Sequence, residues 1–169
     1  MAILSPDPHA ELNEHDGPYM LQAIAWSRTA RDRGNRPFGA VVVSGDGTVL
    51  AEAYCNTSET GDCTGHAETN AVRIVSKTAS RDVLKDATLY SSAEPCVMCA
   101  GAIFWSNIGR VVFGIDAVSL RVFRGERAEQ RDAGLSCRDV FAASPHPITC
   151  IGPVMVREAS EPHVGFWQS

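Results

Sequence analysis

Residues 87–115 read ATLYSSAEPCVMCAGAIFWSNIGRVVFGI, and this stretch decides the fold. Residues 87–91 are a brief apolar strand signal, and Pro95 stands where the first turn of a helix tolerates a missing N–H. The largely apolar run from Cys96 to about Trp105 continues that helix, and residues 110–115 return to strand. Working toward the N-terminus, residues 66–78 read as a helix, with Ala67, Ala71, Ile74 and Val75 at helical spacing. Asp62 or Thr64 can cap it. Residues 38–43 and 48–54 are short β-branched runs around Ser44-Gly45-Asp46-Gly47, the signal of an antiparallel hairpin. Before them, Asp16 and Pro18 open a helix that places Met20, Leu21, Ile24 and Ala25 on one face and stops near Arg33-Gly34.

Toward the C-terminus the pattern weakens. Residues 116–146 are arginine-rich, interrupted by Gly125, Gly134 and Pro145, and do not decide between helix and loop. Residues 148–151 read as a last strand, and 154–167 as a last helix interrupted by Pro162. Strands alternating with helices predict an α/β protein, a three-layer α/β/α sandwich with helices on both faces of the sheet. Residues 1–17 are polar, carry Pro6 and Pro8 and show no period, the reading of a mobile N-terminal arm. Residues 18–169 then form a single domain, a size expected to bury about 70% of its unfolded surface.

Two short motifs carry chemistry. His66-Ala67-Glu68 is followed by Pro95-Cys96-Val97-Met98-Cys99, a pairing of H-x-E with P-C-x-x-C that supplies one imidazole and two thiolates. Three such ligands leave the fourth position of a tetrahedral Zn²⁺ open for water, the mark of a catalytic site. Cys96 and Cys99, at i and i+3, share a helix face, and the positive end of that helix favours their thiolates. His66 and Glu68, at i and i+2, converge only at a frayed first turn. Glu68 is thereby expected beside the water, as base and then acid, and not on the metal. A competing arrangement is a closed structural site in which Cys63, three residues before His66, supplies a fourth ligand.

Of 169 residues, 44% are apolar and the formal net charge is -5, which argues against a general nucleic-acid binder. No stretch approaches 18 consecutive apolar residues, and the acidic first residues lack the basic head of a secretory signal, so a soluble cytoplasmic protein is expected. Cys55, Cys63, Cys137 and Cys150 follow no small disulfide-scaffold pattern and are read as reduced.

The segments GHAETNAVR, TLYSSAEPCVMCAGAIFWS and IGRVVFGID resemble the metal-site core of the cytidine deaminase-like superfamily of zinc-dependent nucleobase and nucleoside deaminases, over roughly residues 18–116. The resemblance implies a mixed five-stranded sheet flanked by helices, one zinc ion per chain, and a homodimer with active sites near the subunit interface. It assigns His66, Cys96 and Cys99 as ligands and Glu68 as proton shuttle. Asn56 matches the asparagine that contacts substrate, with Ala67 beside it in the site. Pro37-Phe38-Gly39-Ala40 and Phe104-Trp105 look closest to the guanine deaminase branch, with Phe38 and Trp105 as substrate contacts, although residues 117–121 replace the acidic segment of that branch. Residues 97–102 and 108–114 are shared with the tRNA adenosine deaminase branch. From residue 139 onward, however, Arg157 stands alone against Asp139, Glu158 and Glu161, and the ending Gly165-Phe166-Trp167 resembles the aromatic lid of free-base deaminases. The expectation is a zinc-dependent hydrolytic deaminase of a small free amino-substituted heterocycle (guanine-, cytosine- or triazine-like), with Phe166 and Trp167 closing over the base. The alternatives are a tRNA adenosine deaminase and a non-catalytic, zinc-stabilised binding module.

Overall fold

The computed structural model describes residues 12–125 and 133–168. Five strands, β1 (Gly39–Val43), β2 (Val49–Tyr54), β3 (Thr88–Ala93), β4 (Arg110–Ile115) and β5 (Thr149–Ile151), form one sheet in the order β2-β1-β3-β4-β5. β1 runs antiparallel to β2 and β3, whereas β3, β4 and β5 run parallel, so the sheet is mixed as expected. The helices α1 (Asp16–Asp32) and α8 (Val156–Ser160) pack on one face. On the other lie α3 (Ala67–Thr78), α5 (Val97–Ser106) and α7 (Cys137–Ala142), while α2 (Thr57–Thr60), α4 (Arg81–Lys85) and α6 (Ala117–Arg124) are short connections.

The two-residue period of the strands divides the core. Ala40, Val42, Leu89, Val111 and Phe113 point toward α3 and α5, whereas Val41, Val43, Tyr90 and Val112 point toward α1. Because helices cover both faces, β1 is buried along its whole length and reads as an unbroken apolar run. α1 lies so close to β1 that a Cβ at Gly39 would meet the Ala23 carbonyl and Trp26, which requires glycine there.

One charged knot ties α1 to the sheet. The fully buried Asp16 carboxylate takes two bonds from Arg110, Nη1 to Oδ1 at 2.6 Å and Nη2 to Oδ2 at 2.7 Å. It accepts two more, from the Tyr90 hydroxyl at 2.8 Å and the Asn13 amide at 2.6 Å. Burial pushes the Asp16 carboxyl up, but these four donors and the guanidinium charge outweigh it and hold the carboxyl below its ordinary range.

Three expectations need correction. The N-terminal arm cannot reach residue 17, because Asp16 and Gly17 already belong to α1; its residues 1–11 lie outside the described residues. The expected helix over 154–167 is limited to α8 and a 3-10 turn over Glu161–His163. Pro162 cannot donate to a continuing helix, and Gly165 turns the chain at φ 73°. The undecided stretch 116–146 contains α6, capped by the Asp116 side chain on the Ser119 amide at 2.7 Å, and α7, opened by a Ser136/Asp139 capping box. All six cysteines are free thiols.

Candidate active site

Two of the three candidate metal ligands stand just outside two helices rather than within them. His66 is the N-cap residue of α3 (φ -75°, ψ 153°) and Cys96 that of α5 (φ -68°, ψ 171°). The extended backbone at both caps frees their side chains from the helical path, which resolves the i, i+2 problem of His66 and Glu68. Glu68 is the second residue of α3, and Cys99 lies in the first turn of α5. The helix of the cysteine motif therefore begins at Val97, one residue later than expected, with Pro95 ahead of the cap.

His66 Nδ1 lies 3.5 Å from Cys96 Sγ and 3.6 Å from Cys99 Sγ. The three candidate ligand atoms all fall within 4.8 Å of one another, and this is the only such group among the described residues. One nitrogen and two sulfurs are the donor set of a zinc site with an open position. Cys63 is exposed and outside this group, so the closed four-ligand arrangement is not built. Cys63→Ser is expected to leave zinc stoichiometry and turnover unchanged, as read by metal analysis and ammonia release.

Glu68 is buried and held from two sides, by the Ser91 hydroxyl donating to Oε1 at 3.1 Å and by Cys99 Sγ at 3.5 Å from Oε2. Burial, and then the negative charge of Cys96, raise its pKa above the carboxylate range. The Cys96 thiol is lowered by the hydrogen bond from Cys99 and by His66, while Cys99, sharing that proton and buried, is raised. The metal-free pair thus holds one proton tightly, to be displaced when both sulfurs bind an ion.

These groups open onto a small cavity of about 90 Å³, whose apolar walls are Phe38, Val97, Leu120 and Leu135. Arg36, Arg124 and Glu94 complete it. Glu94 was not singled out in the sequence, although it directly precedes Pro95. Its carboxylate accepts from the Ala117 amide at 3.0 Å and the Ser136 hydroxyl at 2.5 Å, so it fastens the starts of α6 and α7 to the cysteine loop.

Of the sequence-predicted substrate contacts, only Phe38 lines the cavity. Ala67 is fully buried at the start of α3. Asn56 sits beside the site, its amide bonded to Gly65 O at 2.9 Å; its Oδ1 accepts from Asn70 Nδ2 at 3.0 Å, which leaves Nδ2 without a partner among the described residues. Trp167 is buried and packs behind Phe38, ring centroids 6.1 Å apart, and Phe166 meets it edge-on at 5.0 Å. The C-terminal aromatics therefore back the cavity wall instead of lying across its mouth. The Trp167 indole donates to Nδ1 of the buried His163 at 3.2 Å and stacks on its ring. Burial, then the cations Arg124 and Arg31, lower the His163 pKa to about 3 and keep it neutral. Trp105 departs from its expected place. It is 76% exposed at the far end of α5, roughly 12 Å along the axis from Val97, and lines a separate groove with Arg81 and Pro147.

An open nitrogen–sulfur metal site with an unliganded, buried carboxylate beside it, set at two helix N-termini of an α/β/α sandwich, is the architecture of a metal-dependent hydrolytic enzyme. The chain belongs to the cytidine and deoxycytidylate deaminase family, whose zinc-binding region matches residues 13–115. It is 43% identical over 157 residues to the probable cytosine deaminase of Schizosaccharomyces pombe, covering 93% of this chain and 95% of that protein. Similarity to the tRNA-specific adenosine deaminase of Agrobacterium fabrum is 38% over 96 residues, 57% of this chain and 62% of the other. Among solved structures, the guanine deaminase of Nitrosomonas europaea superposes with a TM-score of 0.77 at 20% identity, covering 94% of this chain and 88% of that one, a likeness of fold. The protein is thus a zinc-dependent hydrolytic deaminase acting on C–N bonds. Zinc, when bound, supplies Lewis acidity that lowers the pKa of water toward about 7.

Proposed function

We propose that the protein deaminates a small, free amino-substituted heterocycle, a nucleobase or a close analogue, releasing ammonia. The observation that carries this reading is the small size of the cavity above Glu68, about 90 Å³, walled by Phe38 and backed by the His163–Trp167 stack. The similarity to a protein named as a probable cytosine deaminase extends along 93% of the chain and supports the same reading.

In this scheme His66, Cys96 and Cys99 hold the metal. Phe38 presents its face to the ring, and Asn56 Nδ2 donates to a ring oxygen or nitrogen. Glu68 takes a proton from the attacking water, gives it to the ring nitrogen beside the amine-bearing carbon, and then carries one to the departing amine. Burial raises its pKa above the ordinary value, which suits a group that must both accept and release a proton. Ala67, between His66 and Glu68, is fully buried in the core beneath them and does not itself line the cavity. The exposed Trp105 groove offers a face for the second copy of a homodimer.

The test is ammonia release from zinc-loaded protein given free bases, nucleosides and full-length tRNA. Turnover confined to free bases is expected; activity on tRNA alone would overturn the reading, and no activity on any of them would favour a binding module. Truncation after Val164 removes the backing of Phe38 and is expected to lower kcat/KM on the preferred base on the order of 100-fold, since small misplacements of a substrate wall reach that size. Zinc content and far-ultraviolet circular dichroism should persist. Unchanged kinetics would show that the aromatics only pack on the domain.

A further inference from the structure

The cavity has a cationic side. In a chain of net charge -5, the other arginines around the domain are engaged: Arg28 with Glu161, Arg33 with Glu59, Arg110 with Asp16, and Arg138 with the carbonyls of Cys150 and Gly152. Arg36 makes no side-chain hydrogen bond or ion pair with any described residue, yet it stands at the rim of the catalytic cavity, close enough for its charge to be felt at His66. Neither carboxylate of that cavity is ion-paired with Arg36: Glu94 accepts from the Ala117 amide and the Ser136 hydroxyl, and Glu68 from the Ser91 hydroxyl. Arg124 adds a second guanidinium on the same lining, 5.7 Å over Phe38 and 5.1 Å over Trp167. Arg36, with Arg124 on the same lining, therefore sets positive charge beside the space where a ring packed on Phe38 would carry its substituents. Low-dielectric walls focus such a field on a small anion.

We propose that Arg36, assisted by Arg124, is a specificity determinant that selects amino-heterocycles bearing a ring carboxylate over neutral bases. This rests on the deaminase reading above and narrows its substrate class. The guanidinium fork matches a carboxylate in shape as well as charge, and such charge-assisted bonds are the strong ones. The reaction stays hydrolytic: water supplies the oxygen of the new carbonyl, the C–N bond breaks and ammonia leaves, with the carboxylate untouched.

The experiment compares cytosine with its 5-carboxylate and 6-carboxylate in steady-state kinetics of the zinc-loaded enzyme. It also compares their binding by calorimetry to zinc-loaded Glu68→Gln protein, where no chemistry is required. At least one carboxylate is expected to exceed cytosine by about 10-fold in kcat/KM and in affinity, and Arg36→Gln to shrink that carboxylate-to-neutral ratio about 30-fold. Arg36→Lys should restore part of the ratio, and rising salt should erode it. A ratio near one in both measurements, or one that Arg36→Gln leaves unchanged, overturns the proposal. Absence of turnover on every compound would count against the deaminase reading alone, because the binding ratio still decides the role of Arg36.

Discussion

Glu68→Gln lowers kcat by several orders of magnitude while the protein keeps its fold and its zinc. General acid–base catalysis by one group contributes ~10²–10⁴-fold, and Glu68 acts at more than one proton transfer. Glutamine preserves the volume and an acceptor for the Ser91 hydroxyl, which lies 3.1 Å from Oε1 in the native protein. Metal analysis beside the kinetics is decisive, because a fall in zinc to the level of Cys96→Ala would make Glu68 a ligand and end the scheme. The metal-free protein should gain stability from the same change. Glu68 has a folded pKa raised by burial, so its contribution is fully present below the unfolded value of about 4.3 and is lost as pH rises through the folded one. Above the folded pKa the native state bears a buried charge that glutamine removes.

The second large effect lies away from the chemistry. Arg110→Met strands the fully buried Asp16 carboxylate and is expected to destabilise the fold by about 3–5 kcal/mol, read as a lower urea midpoint with an unchanged slope. The double variant Asp16→Leu/Arg110→Met should recover much of that loss, since a buried pair replaced by apolar groups is often near neutral. Acid titration separates the two. Asp16 has a folded pKa below its unfolded value of about 3.9, so its stabilisation is present above that value and disappears as pH falls through the folded one. The native protein should show this acid-side loss and the double variant should not.

How far the fold was legible depended on what each signal measures. The strands of the hairpin and the strand–helix–strand unit over 87–115 follow from periodicity and turn residues, because tertiary packing there agrees with local preference. Helix starts are set by which residue leaves the helical backbone. Pro95 is compatible with either side of the boundary, and the cap fell on Cys96. The short helices α6 and α7 have too few residues to show a period; their Asp116 and Ser136 caps were the readable signal. The ligand set was legible because its spacing is local. The cavity walls were not, since Arg36, Glu94, Leu120 and Arg124 meet only through the fold. Trp105 shows the converse: a residue three positions past Ala102 on the metal helix is carried to that helix's far end.

Glu94 gives this arrangement a seam. On its C-terminal side the chain runs directly into Pro95 and the thiolates, and its carboxylate grips the segments from which Leu120, Arg124 and Leu135 reach the cavity. One wall of the cavity is thereby written in a stretch of sequence separate from the reaction centre and joined to it by one carboxylate, while Arg36 and Phe38 reach the same cavity from the N-terminal side. That wall can be exchanged for another that offers an amide and a hydroxyl to Glu94, with the metal ligands, Glu68 and the Arg36–Phe38 side left standing.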